Sequence, residues 1–187
     1  MVNKTTMWAY IQPLLFKEDY MHLAEISKKL NKNHSVVRQY LSFFEKKGII
    51  LKKIAGRLSM YKINLFSPII IDYIAVVEKE KMMKKCEEDL LIQEVVVFLH
   101  THLNENNKSL IFGSSVEDSK KSNDIDILII GKNNLNEKIK QLGKKLNIKL
   151  HIINVKSLRS VTEGLKKEIR IKHLIVQGAE EIIKWLM

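Results

Sequence analysis

A chain of 187 residues has room for one large domain or two small ones, and 45% hydrophobic with 28% charged residues fits a globular protein. The single cysteine, Cys86, excludes an internal disulfide and fits a reducing cytoplasm, and no apolar run reaches the roughly 18 residues of a membrane helix. The net charge of +11 is unevenly spread: residues 1–65 carry 12 Lys and Arg against 4 Asp and Glu, whereas residues 66–187 carry 20 against 17. The first third therefore suits a polyanionic partner. The opening Met1 to Trp8 carries no signal-peptide pattern.

In chain order, Trp8, Ile11, Leu14, Leu15 and Phe16 recur at roughly helical spacing, with Pro13 imposing a break or kink. A short helix is expected from Tyr20 to Leu30, with Leu23, Ile26 and Leu30 on one stripe. Asn33 is a good N-cap for a second helix from His34 to Lys47, whose apolar set is Val37, Tyr40, Leu41 and Phe44. Gly48 stands where a left-handed residue ends a helix. Residues 49–54 and 58–64, joined by Ala55-Gly56-Arg57, read as a hairpin.

Two helices followed by a basic hairpin, with the Gly48 stop and the Tyr61-Lys62-Ile63-Asn64 exit, resemble the winged helix-turn-helix domains of bacterial and archaeal regulators. The resemblance implies a DNA-binding domain over residues 1–65 whose second helix enters the major groove. Its outward residues are Ser35, Arg38, Gln39 and Ser42, and Arg and Gln have the donor and acceptor geometry to read guanine and adenine. Lys52, Lys53 and Arg57, with Lys62, make the hairpin a phosphate-contacting surface. The same shape can also serve as a protein-interaction or dimerisation module.

Phe66-Ser67-Pro68 marks a boundary, because proline disfavours helix in the residue before it. A connecting helix is expected over residues 69–85, and a further helix over 86–103 with Leu90, Leu91, Val95, Phe98 and Leu99 buried. His100 and His102 have no metal-ligand pattern around them. After the 104–108 loop come an apolar strand through Phe112 and a second over residues 124–130. A helix at 135–146, with Ile139 and Leu142 inward, leads into a strand at 147–155. Residues 158–168 and 179–186 read as helices, and 171–178 as a helix end running into a short strand. There is no internal repeat.

Chemistry concentrates in Leu110-Ile111-Phe112-Gly113-Ser114-Ser115 and in Asp124-Ile125-Asp126. Strand alternation puts Asp124 and Asp126 on one face, where two carboxylates call for a cation or hydrogen bonds. Hard oxygens that leave room for water and phosphate suit Mg²⁺. Gly113 lets the backbone approach a phosphate, and Ser114 and Ser115 add donors to a turn able to cradle an anion.

Apolar-Gly-Ser followed by Asp-apolar-Asp resembles the minimal branch of the DNA polymerase β-like nucleotidyltransferases, and the ending from Lys156 through Gly178 to Trp185 resembles archaeal proteins that join a winged helix to such a domain. The resemblance implies an α+β or α/β chain, with a mixed-sheet transferase domain over residues 86–187 behind a connector at 66–85. It implies that Gly113, Ser114 and Ser115 contact a nucleoside triphosphate, and that Asp124 and Asp126 bind Mg²⁺. The chain departs from the family in two places. No Arg-Gly pair follows Gly-Ser, and His151 stands where a third carboxylate is expected.

Two readings follow. In one, the chain binds DNA and transfers a nucleoside monophosphate to a protein or nucleic-acid hydroxyl, with Asp124, Asp126 and His151 as catalytic residues. In the other, it is a regulator or antitoxin-like protein with a degenerate transferase domain and a toxin-type protein partner. A homodimer in the cytoplasm, with no membrane partner, accords with both.

Overall fold

The computed structural model describes residues 6–119 and 122–187. The expected start of the chain at residues 1–5 and two lysines of the 115–123 connection lie outside these. The chain divides into two compact units, residues 1–77 and 78–187. The division falls within one long helix, α3 (Ile70–Glu88), which begins just after Pro68. Ile70, Ile74 and Val77 are buried, and Trp8 meets Tyr73 edge-on at 5.0 Å, so the apolar start of α3 belongs to the first unit.

In the first unit the stretch with Pro13 forms two short 3-10 turns, Met7–Tyr10 and Gln12–Leu14, which bury Tyr10, Ile11, Leu14 and Leu15. The helix expected from Tyr20 starts only at Leu23. Met21–His22 is a strand, β1, whose pairing with Tyr61 and Met60 buries Met21. Helices α1 (Leu23–Leu30) and α2 (His34–Lys46) follow, with Val37, Leu41 and Phe44 fully buried. Asn33 is the cap of α2 in extended conformation, although its side chain makes no capping bond.

Gly48, at φ +69°, ends α2 as expected: its N–H donates to the Glu45 carbonyl and that of Ile49 to the Phe44 carbonyl. The hairpin β2 (Ile50–Ala55) and β3 (Leu58–Ile63) completes an antiparallel sheet of order β1-β3-β2. The Asn64 amide donates to the Gly48 carbonyl at 2.9 Å, tying the hairpin exit to the helix end.

The second unit is a mixed four-stranded sheet with helices, in the order β6-β5-β4-β7. Its strands are β4 (Lys108–Phe112), β5 (Asp124–Ile130), β6 (Lys149–Val155) and β7 (His173–Gln177). β4 runs antiparallel to both β5 and β7, whereas β6 is parallel to β5. Such a parallel pair needs a crossover, and α5 (Asn136–Leu146) supplies it.

α4 (Leu90–His102) begins four residues later than the expected helix at 86, because Asp89 accepts the Ile92 N–H as its N-cap. That cap turns Leu90 outward, at 75% exposure, and the buried stripe becomes Ile92, Val95, Val96 and Leu99. These pack with Ile111, Ile125, Ile127, Ile129, Ile139, Leu142, Leu174 and Val176 in one core. Full burial contributes roughly 1.5–3 kcal/mol per such side chain, so this layer fixes the register of β5. With Ile125 and Ile127 in that core, alternation places Asp124 and Asp126 on the opposite face. Helices α6 (Glu163–Ile171) and α7 (Ala179–Leu186) complete the unit.

Candidate active site

β4 delivers the Gly-Ser turn to the end of the sheet where β5 begins. Phe112, its last residue, pairs with Asp126, and Asp126 pairs on its other side with His151. Asp124 is one alternation back, opposite Lys149. Three adjacent strands therefore bring Gly113, Asp126 and His151 together.

Gly113 has φ +80° and ψ −156°, and a Cβ there would lie 2.9 Å from Asp126 Oδ2. Only glycine leaves that carboxylate oxygen its space. The other oxygen, Oδ1, accepts the Nδ1–H of His151 at 2.9 Å. Asp124 and Asp126 are half-buried and His151 is exposed. In a neutral ring, a proton on Nδ1 leaves Nε2 with its lone pair.

The turn is braced from several directions. The Gly113 N–H donates to the Lys172 carbonyl at 3.3 Å, and Lys172 forms an ion pair with Glu117 at 2.9 Å. Ser114 is exposed, and its Oγ lies 3.0 Å from that of Ser122. Ser115, expected to face a nucleotide, is instead buried, with its hydroxyl donating to the Phe112 carbonyl at 3.4 Å. It holds the turn from within.

Beyond it, Ser119 donates to Asp89 Oδ1 at 2.6 Å, Lys85 pairs with Asp89 Oδ2 at 3.1 Å, and Lys85 also donates to the Glu117 carbonyl at 3.0 Å. Burial pushes the Asp89 carboxyl up, but the Ser119 hydroxyl, the Lys85 ammonium and the Ile92 N–H outweigh it and hold it below the ordinary carboxylate range.

Two carboxylates on one strand face, with a serine hydroxyl on the neighbouring turn, form a hard-oxygen donor set that fits Mg²⁺. Among the described residues no group of three or more His, Cys, Asp or Glu forms a metal cage. Mg²⁺ favours water and phosphate oxygens in its remaining positions. One further carboxylate near the turn escaped sequence reasoning. Glu168 Oε1 lies 3.9 Å from where a Gly113 Cβ would stand, although Glu168 belongs to α6 and no strand spacing points to it.

The residues expected to face DNA lie in the first unit. Ser35, Arg38 and Gln39 are exposed on α2 and Ser42 is half-buried; Lys52 and Lys53 are exposed on β2, and Arg57 in the turn after it. Lys53 Nζ sits 5.8 Å from the Tyr20 ring centroid. No helix among the described residues is long and apolar enough to cross a membrane.

No protein-family model matches the sequence, and no curated protein does. Among solved structures the chain is similar to a toxin–antitoxin crystallised with AMP-PNP, at 18% identity and a TM-score of 0.39, over 50% of this chain and 78% of that one. It is similar also to a toxin–antitoxin MntA-HpeT mutant, at 16% identity and the same TM-score of 0.39, over 50% and 78% of the respective chains.

Proposed function

We propose that the second unit binds a Mg²⁺–nucleoside triphosphate and transfers a nucleoside monophosphate to an acceptor hydroxyl, while the first unit, read as a winged helix, binds duplex DNA. The observation that carries the catalytic part is the contact of the Gly113 turn with Asp126, which itself holds His151. A phosphate-approaching turn, a cation-demanding carboxylate and an oriented imidazole share one strand end. Bound Mg²⁺ would neutralise phosphate charge as it develops on the departing pyrophosphate. Asp124 and Asp126 would hold that ion, and Gly113 and Ser114 would seat the phosphates. His151, oriented through Nδ1, would take the acceptor proton at Nε2. As the hydroxyl oxygen bonds to the α-phosphorus, the α–β bridging bond breaks and pyrophosphate leaves.

The test is incubation of the full chain with α-labelled nucleoside triphosphates and Mg²⁺, scoring label on the chain itself, on nucleic acid and on copurified protein. Transfer that disappears in Asp126→Asn is the expected result. Saturable nucleotide binding with no transfer to any acceptor would overturn the enzyme reading.

A second reading has its own observation. β6 carries no Asp or Glu, so the position where a third carboxylate is expected holds only His151. On this reading the unit senses nucleotide or holds a toxin-type protein partner without turnover, and DNA binding regulates transcription.

A further inference from the structure

Apart from the strand end, the described residues converge on a second constellation, which lies wholly within the first unit. A hollow of about 190 Å³ is lined by His22, His34, Arg38 and Arg57, with Leu23, Ala24, Leu58 and Ser59 completing its wall. These residues come from three places in the sequence. His22 closes β1 and precedes α1, His34 and Arg38 occupy the first two turns of α2, and Arg57 sits at the tip of the β2–β3 hairpin.

Arg38 and Arg57 both line this small hollow, and like charges on one wall favour a bound anion. Among the described residues neither Arg38 nor Arg57 has a carboxylate partner. Glu25 of α1 is engaged with Lys29 at 3.4 Å. His22 Nδ1 is shielded from solvent and has no hydrogen-bond partner.

The backbone adds to this field. α1 and α2 both start at the hollow, and neither N-cap side chain, His22 or Asn33, satisfies the free N–H groups of its first turn. Two helix N-termini supply positive dipole ends and open donors. Forked guanidinium donors match tetrahedral oxyanions, for which arginine is the preferred residue.

We infer that this hollow is a binding site for one phosphoryl group, clamped between Arg38 on α2 and Arg57 on the hairpin tip. Its volume is ample for a phosphate. On this inference Arg38 contacts phosphate rather than guanine, and the exposed residues of α2 left to face bases are Ser35 and Gln39. The group can come from the backbone of duplex DNA or from free phosphate. The first source rests on the DNA reading above; the second does not, and neither depends on the chemistry of the second unit.

The experiment uses the full chain and two titrations at constant ionic strength. Inorganic phosphate is followed by calorimetry, and a labelled DNA duplex by fluorescence anisotropy. Each is run on the wild type and on Arg38→Ala, Arg57→Ala and Lys46→Ala. The last removes the same charge from an exposed residue outside the hollow. All three sites lie at the surface, and thermal melts check that each variant folds.

We expect Arg38→Ala and Arg57→Ala each to weaken at least one titration by roughly tenfold or more, the usual worth of a hydrogen bond to a charged group, with Lys46→Ala much closer to wild type. Loss in the DNA titration, with phosphate competing against the duplex, identifies the backbone as the source. Loss in the phosphate titration without competition identifies a free anion. The site is overturned if, in both titrations, the two arginine variants differ from wild type no more than Lys46→Ala does. A wild-type chain that binds no DNA overturns the DNA reading alone, and the phosphate titration then decides the hollow.

Discussion

Asp126 answers to two neighbours at once: its Oδ1 holds His151 at 2.9 Å, and its Oδ2 lies where a Gly113 Cβ would come within 2.9 Å. Gly113→Ala therefore sets a methyl against a carboxylate oxygen, in a conformation with φ +80° that side chains rarely adopt. It should weaken Mg²⁺-dependent nucleotide binding by roughly tenfold or more, since losing a contact to a charged group costs about 1.5–3 kcal/mol. Calorimetry with a non-hydrolysable nucleotide measures it.

His151 separates the roles further. Gln at 151 keeps a donor toward Asp126 but cannot take a proton, so His151→Gln should leave nucleotide affinity unchanged while lowering transfer by roughly 10²–10⁴-fold. Transfer at the wild-type rate would remove His151 from the chemistry. Of this residue-scale picture, the turn at Gly113 and the shared strand face of Asp124 and Asp126 were legible, because strand period and turn chemistry are local signals. Ser115 was not, because a hydroxyl looks the same in sequence whether it faces a ligand or its own turn. Glu168 was not, because a helix brings it in from far along the chain.

At the scale of elements, the second unit is pinned by two buried carboxylates. Asp89 caps α4 and receives Ser119 and Lys85, thereby anchoring the far side of the Gly113 turn. Glu78, on α3, is 2% exposed and lies 3.3 Å from the equally buried His173 of β7 and 3.1 Å from Lys81. Burial pushes the Glu78 carboxyl up, but the neighbouring His173 imidazole and Lys81 ammonium outweigh it and hold it below its ordinary value.

Both folded-state values are depressed, so the sign is the same for each. Their stabilisation is fully present above the ordinary carboxylate range near pH 4 and is lost as pH falls through the folded-state values. Urea unfolding should therefore show stability falling steeply below about pH 4, and Glu78→Gln should flatten that slope. At neutral pH Glu78→Ala should cost about 3–5 kcal/mol, because it removes the buried carboxylate that pairs with Lys81. A slope unchanged in Glu78→Gln would remove this carboxyl from the acid transition. The helical stripe of α2 and its Gly48 stop were legible at this scale. The Asp89 cap and strand β1 were not: a lone aspartate between two apolar-periodic stretches does not announce a cap, and a two-residue strand is defined only by its partner.

For the whole molecule, the informative quantity is where charge sits relative to chemistry. Residues 1–65 carry 12 basic against 4 acidic side chains, the remainder is nearly balanced, and the carboxylate pair lies in the balanced part. On the proposed function, a polyanion and a metal-bound triphosphate address different units of one chain. This partition was readable from sequence, because formal charge needs no fold. The convergence of His22, His34, Arg38 and Arg57 was not, because sheet pairing and the α1–α2 turn bring together residues that are apart in sequence.

The partition predicts how the full chain responds to salt. If Lys52, Lys53 and Arg57 each neutralise a phosphate, DNA affinity should fall linearly on a log–log salt plot, and replacing any one with Ala should lower the slope by about one. The loss should be uniform across DNA sequences, whereas Gln39→Ala, if Gln39 reads adenine, should cost about 1–3 kcal/mol only for duplexes that carry the preferred base. Asp126→Asn supplies the cross-check. It should abolish metal-dependent nucleotide binding and leave both the DNA affinity and its salt slope at their wild-type values. A shift in the DNA curve of Asp126→Asn would mean that the two activities are coupled, and a flat salt plot for the wild type would take DNA away from the first unit altogether.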